Sequence, residues 1–579
     1  MGMWNAKNNW VYLGILAVAV FVVFGNALSN GFVYDDHYLI KDNEFIRNFS
    51  NLPEVLTSDV AVVTPIAKPS GYYRPVSMLF LMLMYQLWGL NTFGLHLTSL
   101  LLHLGTTFLV FLLISQMALS KKTGLITALI FAVHPIHVEA VAPIFNYMGV
   151  LASFLSLLSF WFFLQSTKTG DKKYFLFSVV FCFLAIFAKE EAIVLPAIFV
   201  LYDLYFIAEF RFRDLARRLM RYAWFVLPAA CYIAARVFVM QKAAALGFWH
   251  LNLGFNIISD GGVLAQVAMF AKTFLNYFWI LIYPFRLSAF YLLPQPETLS
   301  AVEIFLSFFI VGSILSFAIT MAKRYRLASF FALFFFITSF MISNIIPIGG
   351  LFAERFMYLP SVSFCFFLAW VIVEASKRLS KHDARQEQMI LGIGLVLVLG
   401  LYGQASASRN YIWRNDVTLW SDTCQKTPRS AKPFHYLGDA YAYHGSAYYD
   451  KALEAYRQAL QRPDAQKIAL HSAIGTLYGL MGQHDLALIE FSSAFRLDQN
   501  SVSHYYNLGV THHFLGEHEK ALAYFQAGQD MDKNYFWLYY GMGLVYQKQG
   551  KVSAARDMFT RALKIEPRFE AAKTALEKL

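Results

Sequence analysis

Two adjacent carboxylates, Asp35 and Asp36, follow the first long apolar run of the chain, residues 10–28. That run is close to the ~20 residues with which an α-helix crosses a bilayer, so both acids are predicted at the mouth of a membrane helix. A carboxylate beside low-dielectric surroundings can have its pKa raised enough to accept the proton of a hydroxyl group. Paired acids also occur at solvated loop starts and helix N-caps, so the pair indicates a general base without requiring one.

Other charged side chains near the ends of apolar runs are candidates for binding an anion. Arg74 and Arg355 would supply planar forks of N–H donors that suit a phosphate group. Ionisable groups at membrane depth are costly, so they indicate a functional site unless they only pair with one another to hold helices together. The charged residues predicted on the same side as the two acids are Arg74, Glu139, Lys189, Glu190, Arg286, Glu354 and Arg355.

Four histidines add donors to this set. His134 and His137 could donate to a phosphate or a leaving group, and together with Glu139 they could hold a metal ion. The proline between the two histidines disfavours a regular helical ligand pair, so the metal is the weaker alternative. His96 and His103 lie on one helix face, where each is either a structural histidine or a site residue.

The composition indicates a polytopic membrane protein with an all-α fold. Hydrophobic residues make up 58% of the chain and charged residues only 15%, which excludes an ordinary soluble protein. The net charge of +11 comes from short basic clusters between apolar runs, so it predicts membrane topology and no nucleic-acid partner. The four cysteines lack the spacing of a disulfide framework or a zinc site. No glycine-rich nucleotide loop occurs in a strand-to-helix context.

About eleven apolar runs are near or above the length of a bilayer crossing. They are residues 10–28, 95–117, 124–143, 145–165, 174–188, 191–207, 222–240, 301–321, 328–346, 357–376 and 389–406. With a cytoplasmic N-terminus, the basic connectors all fall on the cytoplasmic side, and the first run is a retained span. The two acids and the C-terminal region then face the periplasm, if the membrane is a bacterial inner membrane, or the lumen of the endoplasmic reticulum. The stretches 75–88 and 263–283 are predicted as juxtamembrane or re-entrant helices, since crossings there would break this alternation.

The composition changes to a soluble, helical one after the last run. We predict a transmembrane domain over residues 1–406, a connecting half repeat over 407–430 and a repeat domain of about four units over 431–579. Gly475, Gly509 and Gly543 recur at intervals of 34 residues, each followed by a turn glycine, an alanine and an aromatic residue. This is the tetratricopeptide pattern, whose repeats stack into an α-solenoid with a concave groove.

The first helix of each repeat is predicted to line that groove, where a protein acceptor would bind. Exposed aromatic side chains there would suit a polypeptide or a sugar, although each could instead pack between repeats. The predicted lining residues are His435, Tyr443, Tyr506, His513, Phe514, Trp537 and Tyr540.

Several short motifs together resemble a known family. They are the segment from Gly31 to Asp36, Tyr73-Arg74-Pro75, His96 with His103, the segment from His134 to Ala140, Lys189-Glu190, the segment from Tyr283 to Ser288, the segment from Ala353 to Pro360, and the C-terminal repeats. In this order they are similar to the motifs of the transmembrane and tetratricopeptide-repeat-containing O-mannosyltransferases and their bacterial relatives. These enzymes are glycosyltransferases of the GT-C class.

The resemblance implies a polyprenyl-phosphate-linked monosaccharide as donor, a serine or threonine hydroxyl of a protein as acceptor, and inversion by direct displacement. It implies an acidic catalytic residue in the first exoplasmic loop, matching Asp35 or Asp36. No cofactor is expected, and no nucleotide sugar at the site; the substrate and the membrane lipid are the ligands. The residues expected to hold the donor phosphate are Arg74, His134, His137, Lys189 and Arg355, and those expected to support them are His96, His103, Glu139, Glu190, Arg286 and Glu354.

Two departures from the family pattern bear on the donor sugar. Relatives usually carry an arginine and an acid after the His-Pro motif, where this chain has Asn146-Tyr147-Met148-Gly149, and Ser99 stands where an asparagine is often found. Two alternatives stay open. One is a membrane-anchored scaffold without catalysis, and the other is a related enzyme that acts on a glycan or a lipid. Deleting residues 430–579 would distinguish a protein-directed enzyme from a glycan-directed one.

Overall fold

A computed structural model describes residues 6–60, 71–245, 262–292, 300–342, 352–380, 383–567 and 569–579. Within these ranges all regular secondary structure is helical and there is no strand, which confirms the all-α prediction. The chain divides into two compact units, Met1–Leu419 and Trp420–Leu579.

The first unit contains sixteen α-helices among its described residues. They are α1 Ala6–Phe24, α2 Leu52–Leu56, α3 Pro75–Trp88, α4 Thr92–Met117, α5 Lys121–Val133, α6 Val138–Val141, α7 Tyr147–Thr169, α8 Lys172–Ala188, α9 Leu195–Tyr202, α10 Phe212–Ala216, α11 Leu219–Ala245, α12 Gly262–Ile282, α13 Ala301–Thr320, α14 Arg326–Thr338, α15 Ser361–Leu379 and α16 Ala384–Ile412. Short 3₁₀ and π segments join several of them, among them the π turn His37–Lys41 in the first loop.

Local sequence signals set several of the helix starts. Pro75 stands in the first turn of α3, where its missing N–H has no intrahelical partner to lose. The Asn91 side chain accepts a hydrogen bond from the backbone N–H of Gly94 and caps α4. The helices α4 and α5 approach closely at Gly124, where a Cβ atom would lie 2.9 Å from the backbone nitrogen of Ser115.

The number of membrane spans differs from the prediction. Among the described residues, six helices are long and apolar enough to cross a membrane, or seven if the pair Lys121–Val133 and Pro135–Val141, bent by 52°, counts as one. The predicted count of about eleven is therefore not confirmed. The run 191–207 is broken because a 3₁₀ turn, the short helix α9 and a π turn follow one another there. The end of the run 328–346 lies outside the described residues.

The helix α17, Asp416–Lys426, begins in the first unit and ends in the second. The second unit continues with α18 Ala431–Tyr443, α19 Tyr449–Leu460, α20 Lys467–Leu480, α21 His484–Leu497, α22 Val502–Phe514, α23 His518–Met531, α24 Phe536–Lys548, α25 Val552–Ile565 and α26 Glu570–Glu577. These form consecutive helical hairpins, and the turn glycine of each pair has a positive φ, as at Gly516 with φ 80°. A small residue of each first helix packs on an aromatic ring of the second, and Gly509 meets Phe525 in this way.

Replacing Gly509 by alanine is expected to destabilise the repeat unit by about 1–3 kcal/mol, as overpacking of a close-packed core does. The added Cβ would lie 2.4 Å from a ring carbon of Phe525, which is fully buried and has no room to retreat. The matched control is Gly479→Ala, because a Cβ at this position of α20 meets no atom within 4 Å. That change should stabilise the helix by about 0.5–1 kcal/mol. Thermal unfolding of the two purified full-length variants would measure the difference, and equal behaviour would contradict it.

Candidate active site

The loop after α1 is bound to the far end of the first unit's sequence. The Asn30 side chain donates to the carbonyl oxygen of Asn410 at 3.0 Å, and the backbone N–H of Gly31 donates to that of Arg414, also at 3.0 Å. From α4, the His96 ring lies with its Nε2 3.1 Å from the Asn30 carbonyl oxygen. The loop that carries the two acids is therefore fixed against the end of α16 and against α4.

Asp36 is fully buried, and its carboxylate accepts three backbone hydrogen bonds. The N–H groups of Val33 and Ile144 donate to Oδ2 at 3.1 and 3.3 Å, and that of Phe145 donates to Oδ1 at 2.7 Å. Burial raises the pKa of Asp36 to about 7, while the three N–H groups pull it down. No part of this carboxylate is open to an acceptor hydroxyl, so Asp36 joins the first loop to the segment before α7.

Asp35 is only half-buried, in contrast to its neighbour. Its Oδ1 accepts a hydrogen bond of 2.6 Å from the Tyr38 hydroxyl. Burial lowers the pKa of the Arg355 guanidinium, but the carboxylates of Glu139 and Asp35 more than offset this and raise it overall. Of the two acids, Asp35 is the one that combines an accessible carboxylate with a neighbouring cation.

Arg355 and Lys189 approach the same aromatic ring. The guanidinium carbon of Arg355 lies 5.3 Å from the centre of the Phe356 ring, and the Lys189 ammonium lies 5.5 Å from it. Arg355 also forms an ion pair with the buried Glu139, whose Oε2 accepts the backbone N–H of Arg355 at 3.1 Å. The Arg355 side chain keeps 34% of its surface exposed, so it remains accessible to a ligand.

Lys189 is held by a residue that was not predicted from the sequence. Its ammonium lies 2.7 Å from the Glu191 carboxylate, and the Lys189 side chain is buried. A Cβ atom at Gly149 would lie 3.4 Å from the same ammonium. This is an ordinary van der Waals distance, so Gly149, which lies at the departure from the family pattern, packs close to Lys189. Asn146, at the start of the same departure, donates to the Glu139 carbonyl oxygen at 2.7 Å.

Arg74 and Glu190 were predicted separately, and the structure joins them. The guanidinium donates to both carboxylate oxygens of Glu190, at 2.9 and 2.6 Å, and lies 4.3 Å from the centre of the Tyr72 ring. Burial would raise the pKa of Glu190, but Arg74 outweighs it and lowers that pKa to about 2. A donor phosphate at Arg74 would therefore share its guanidinium with a carboxylate.

His134 and His137 are placed differently from the prediction that they hold a phosphate. Both are fully buried. His134 accepts the Ile136 N–H at Nδ1 and has Nε2 3.1 Å from the Leu281 carbonyl oxygen. The two ring nitrogens of His137 lie 2.8 Å from the Phe131 carbonyl oxygen and from the Ser361 hydroxyl. Because each ring nitrogen already has a protein partner, these side chains shape the bend after α5 and present no atom to a phosphate.

Of the remaining supporting residues, His103 and Glu354 are buried and bonded within the protein. His103 lies between the Tyr358 hydroxyl, at 2.7 Å, and the Ala132 carbonyl oxygen, at 3.2 Å. Glu354 is fully buried and paired with Arg409 of α16, whereas Arg286 is exposed. Among the described residues, no group of three or more histidine, cysteine, aspartate or glutamate side chains is arranged to hold a metal ion.

The predicted groove residues separate into three sets in the repeat unit. Tyr506, Trp537 and Tyr540 pack together, with ring centres 5.6 Å apart for the first pair and 6.1 Å for the second. Tyr443 and Phe514 are 59% and 60% exposed, at the last positions of α18 and α22. The other two pack on aromatic neighbours: His435 lies near the Tyr456 ring and His513 near the Phe514 ring.

Comparisons with known proteins agree with the predicted resemblance. Residues 68–237 match the family described as dolichyl-phosphate-mannose-protein mannosyltransferase, and residues 504–535 and 538–569 match the tetratricopeptide repeat. The chain is 24% identical to Protein O-mannosyl-transferase TMTC3 of Mus musculus over 82% of its length and 53% of the relative's. It is 23% identical to Tmtc3 of Drosophila melanogaster, over 86% of this chain and 60% of that protein. For TMTC1 of Homo sapiens the identity is 27%, over 80% and 56%.

These similarities confirm the resemblance to the transmembrane and tetratricopeptide-repeat-containing O-mannosyltransferases. They also confirm the tetratricopeptide repeats, because the matched residues 504–535 and 538–569 lie in the second unit. The chain spans between 53% and 60% of the length of the three relatives.

Proposed function

Since the chain is similar along most of its length to protein O-mannosyl-transferases, we propose that it is a membrane glycosyltransferase. It transfers a monosaccharide from a polyprenyl-phosphate donor to serine or threonine hydroxyls of a protein. The matched family is named dolichyl-phosphate-mannose-protein mannosyltransferase, so mannose is the first sugar to test.

One observation carries this proposal: a half-buried carboxylate in the loop after α1 lies near a cation that shares an aromatic ring with a second cation. Asp35 is half-buried and close enough to Arg355 to raise the pKa of its guanidinium, and Lys189 shares the Phe356 ring with Arg355. A base next to an anion-binding pair is what the displacement of a sugar from a phosphate needs. The apolar helices around the site would keep the polyprenyl chain of the donor in the bilayer.

In the proposed reaction Asp35 takes the proton of the acceptor hydroxyl. The hydroxyl oxygen attacks the anomeric carbon of the sugar, and the bond from that carbon to the phosphate oxygen breaks on the opposite face. The configuration is therefore inverted, and the electron pair stays on the polyprenyl phosphate. Arg355, whose side chain is 34% exposed, stabilises the charge that develops on the leaving phosphate. Lys189 and Arg74 add to this when their ion pairs with Glu191 and Glu190 open.

The proposed topology puts the donor site and the repeats on one face of the membrane. A cytoplasmic N-terminus places the loop of Asp35 on the exoplasmic side, and the repeats follow α16 on that side too. The repeat groove, with the exposed Tyr443 and Phe514, would bind the protein acceptor.

Intact-mass glycoproteomics of cells with and without this protein tests the proposed function. The expected result is the loss of a single hexose from defined serine or threonine residues of exoplasmic proteins when the protein is absent. Expression of the chain should restore the modification. Unchanged protein glycosylation together with a changed glycan or glycolipid would assign the enzyme to another acceptor class. No change in any glycoconjugate would favour a scaffold.

A further inference from the structure

The backbone immediately before Asp35 is strained. Tyr34 has φ 51°, a left-handed conformation that a residue with a bulky side chain rarely adopts. Such a conformation is unfavourable for a residue other than glycine and persists only where surrounding contacts enforce it. The same turn sets the direction in which the Asp35 side chain leaves the loop, so whatever enforces it also positions that carboxylate.

Asp416 is the residue that makes the enforcing contacts. Its Oδ1 accepts the backbone N–H of Tyr34 at 2.7 Å, and its Oδ2 lies 2.7 Å from Nε2 of His37. The side chains of His37 and Asp416 are 22% and 15% exposed. Asp416 begins α17, two residues after Arg414, whose carbonyl oxygen receives the Gly31 N–H. The Asp416 carboxylate therefore contacts the loop at Tyr34, just before the two acids, and at His37, just after them.

We propose that Asp416 and His37 form a clamp that holds Tyr34 in its strained conformation and so positions the Asp35 carboxylate for proton transfer. Both are positioning residues, since they act through the loop and contact no reacting atom. The clamp rests on the proposed function for its effect on rate, but its effect on the loop can be measured without any substrate.

The clamp is tightest when His37 is protonated, because a charge-assisted hydrogen bond is stronger than a neutral one. The hydrogen bond to Asp416 raises the pKa of His37, burial and Lys41 lower it, and Asp36 raises it further. The net shift is upward. The clamp is thus fully formed below the ordinary pKa of a histidine and weakens as the pH rises through the higher pKa of His37. The transfer rate should fall on that alkaline side.

Kinetics of two Asp416 variants test the clamp, with polyprenyl-phosphate-mannose as donor and a serine/threonine peptide as acceptor. Asp416→Ala removes both contacts, and kcat should fall about 10- to 100-fold with the donor KM within about twofold, since misplacing a catalytic group by ~1 Å has an effect of this size. Asp416→Asn keeps an oxygen for the Tyr34 N–H, so it should recover part of the lost kcat. The matched control is Glu490→Ala, which removes a histidine–carboxylate pair of 2.6 Å in the repeat unit and should leave kcat unchanged.

The pH profile separates the clamp from a general loss of structure. In the His37→Gln variant the glutamine can still donate to Asp416 but has no charge to lose, so the alkaline decline should disappear while activity at low pH stays within about threefold. An alkaline decline that persists in His37→Gln, or a wild-type kcat in Asp416→Ala, would overturn the clamp.

Hydrogen exchange distinguishes failure of the clamp from failure of the proposed function. In the purified full-length protein, the backbone amides of residues 31–40 should exchange faster in Asp416→Ala than in the wild type, with no change in Glu490→Ala. If the wild-type protein transfers no sugar but shows this difference, the proposed function fails and the clamp on the loop stands. If exchange is the same in both proteins, the clamp fails whatever the activity.

Discussion

Asp35→Asn is expected to lower the transfer rate by about 10²–10⁴-fold, the usual contribution of a general base. Asparagine fills the same space and can still accept the hydrogen bond of 2.6 Å from the Tyr38 hydroxyl, but it cannot take a proton from the acceptor. The donor should bind with nearly unchanged affinity, because Arg355 and Lys189 remain in place. Steady-state kinetics with a polyprenyl-phosphate-mannose donor would show a loss in kcat alone. A wild-type kcat in a folded Asp35→Asn protein would exclude Asp35 as the general base.

Asp36→Asn serves as the comparison, because this variant should lose activity through a loss of stability and not through the loss of a base. An amide in place of this carboxylate would direct N–H groups at backbone N–H groups of Val33, Ile144 or Phe145. Leaving a buried donor unsatisfied costs about 1–3 kcal/mol, so the free energy of unfolding should drop. Asp35→Asn should leave it unchanged. Loss of stability in Asp35→Asn and loss of rate alone in Asp36→Asn would reverse the two roles.

Glu354→Leu is expected to destabilise the first unit by about 3–5 kcal/mol, the range for removing one partner of a buried ion pair. The Glu354 carboxylate is fully buried and accepts hydrogen bonds from Nε and Nη2 of Arg409 at 2.9 to 3.2 Å. It also accepts the Ser288 N–H at 2.7 Å and the Tyr291 hydroxyl at 2.6 Å. The substitution would leave the Arg409 guanidinium buried without its carboxylate. Thermal unfolding of the detergent-solubilised protein would measure the loss.

Two further variants serve as controls for Glu354→Leu. Glu374→Ala removes an exposed pair with Arg378, one turn away on α15, and should cost no more than about 1 kcal/mol. Combining Glu354→Leu with Arg409→Met removes both charges and should recover most of the lost stability. If the single Glu354→Leu variant unfolds at the wild-type temperature, the Glu354–Arg409 pair does not fix α16 to the segment that carries Arg355.

The repeat unit was predictable because its packing is encoded locally. The small residue at Gly509 and the aromatic ring at Phe525 lie only one helical hairpin apart, so their spacing in the sequence is also their spacing in the structure. The turn glycines follow the same logic, since a positive φ is required at each of them. The all-α fold of this unit and its tetratricopeptide repeats could therefore be inferred without any tertiary information.

The number of spans was harder to predict, since hydropathy reports what is apolar and not what is one straight helix. Residues 191–207 are apolar except for Glu191 and Asp203, but the α-helical part is only the eight residues of α9. Pro196 in its first turn and the π turn after it divide the run. A buried apolar segment of this kind has the same composition as a membrane span.

The details of the candidate site depended on contacts between distant parts of the sequence. The fully buried state of Asp36 results from N–H groups at Ile144 and Phe145, more than a hundred positions along the chain. Asp416 lies still farther away, and nothing in its local sequence distinguishes it from any acid near a helix start. The sequence could indicate that Asp35 and Asp36 matter, but only the tertiary structure distinguishes the accessible acid from the buried one.

The most direct test uses the purified protein in liposomes that contain polyprenyl-phosphate-mannose, with a synthetic serine/threonine peptide added on the side of the repeats. Intact-mass spectrometry of the peptide should show the gain of one hexose with the wild-type protein and with Glu490→Ala, and no gain with Asp35→Asn. A peptide that gains the hexose equally with Asp35→Asn would contradict a role for this carboxylate in the transfer. A peptide that gains nothing with the wild type, while the lipid donor stays intact, would contradict the proposed transfer from this donor.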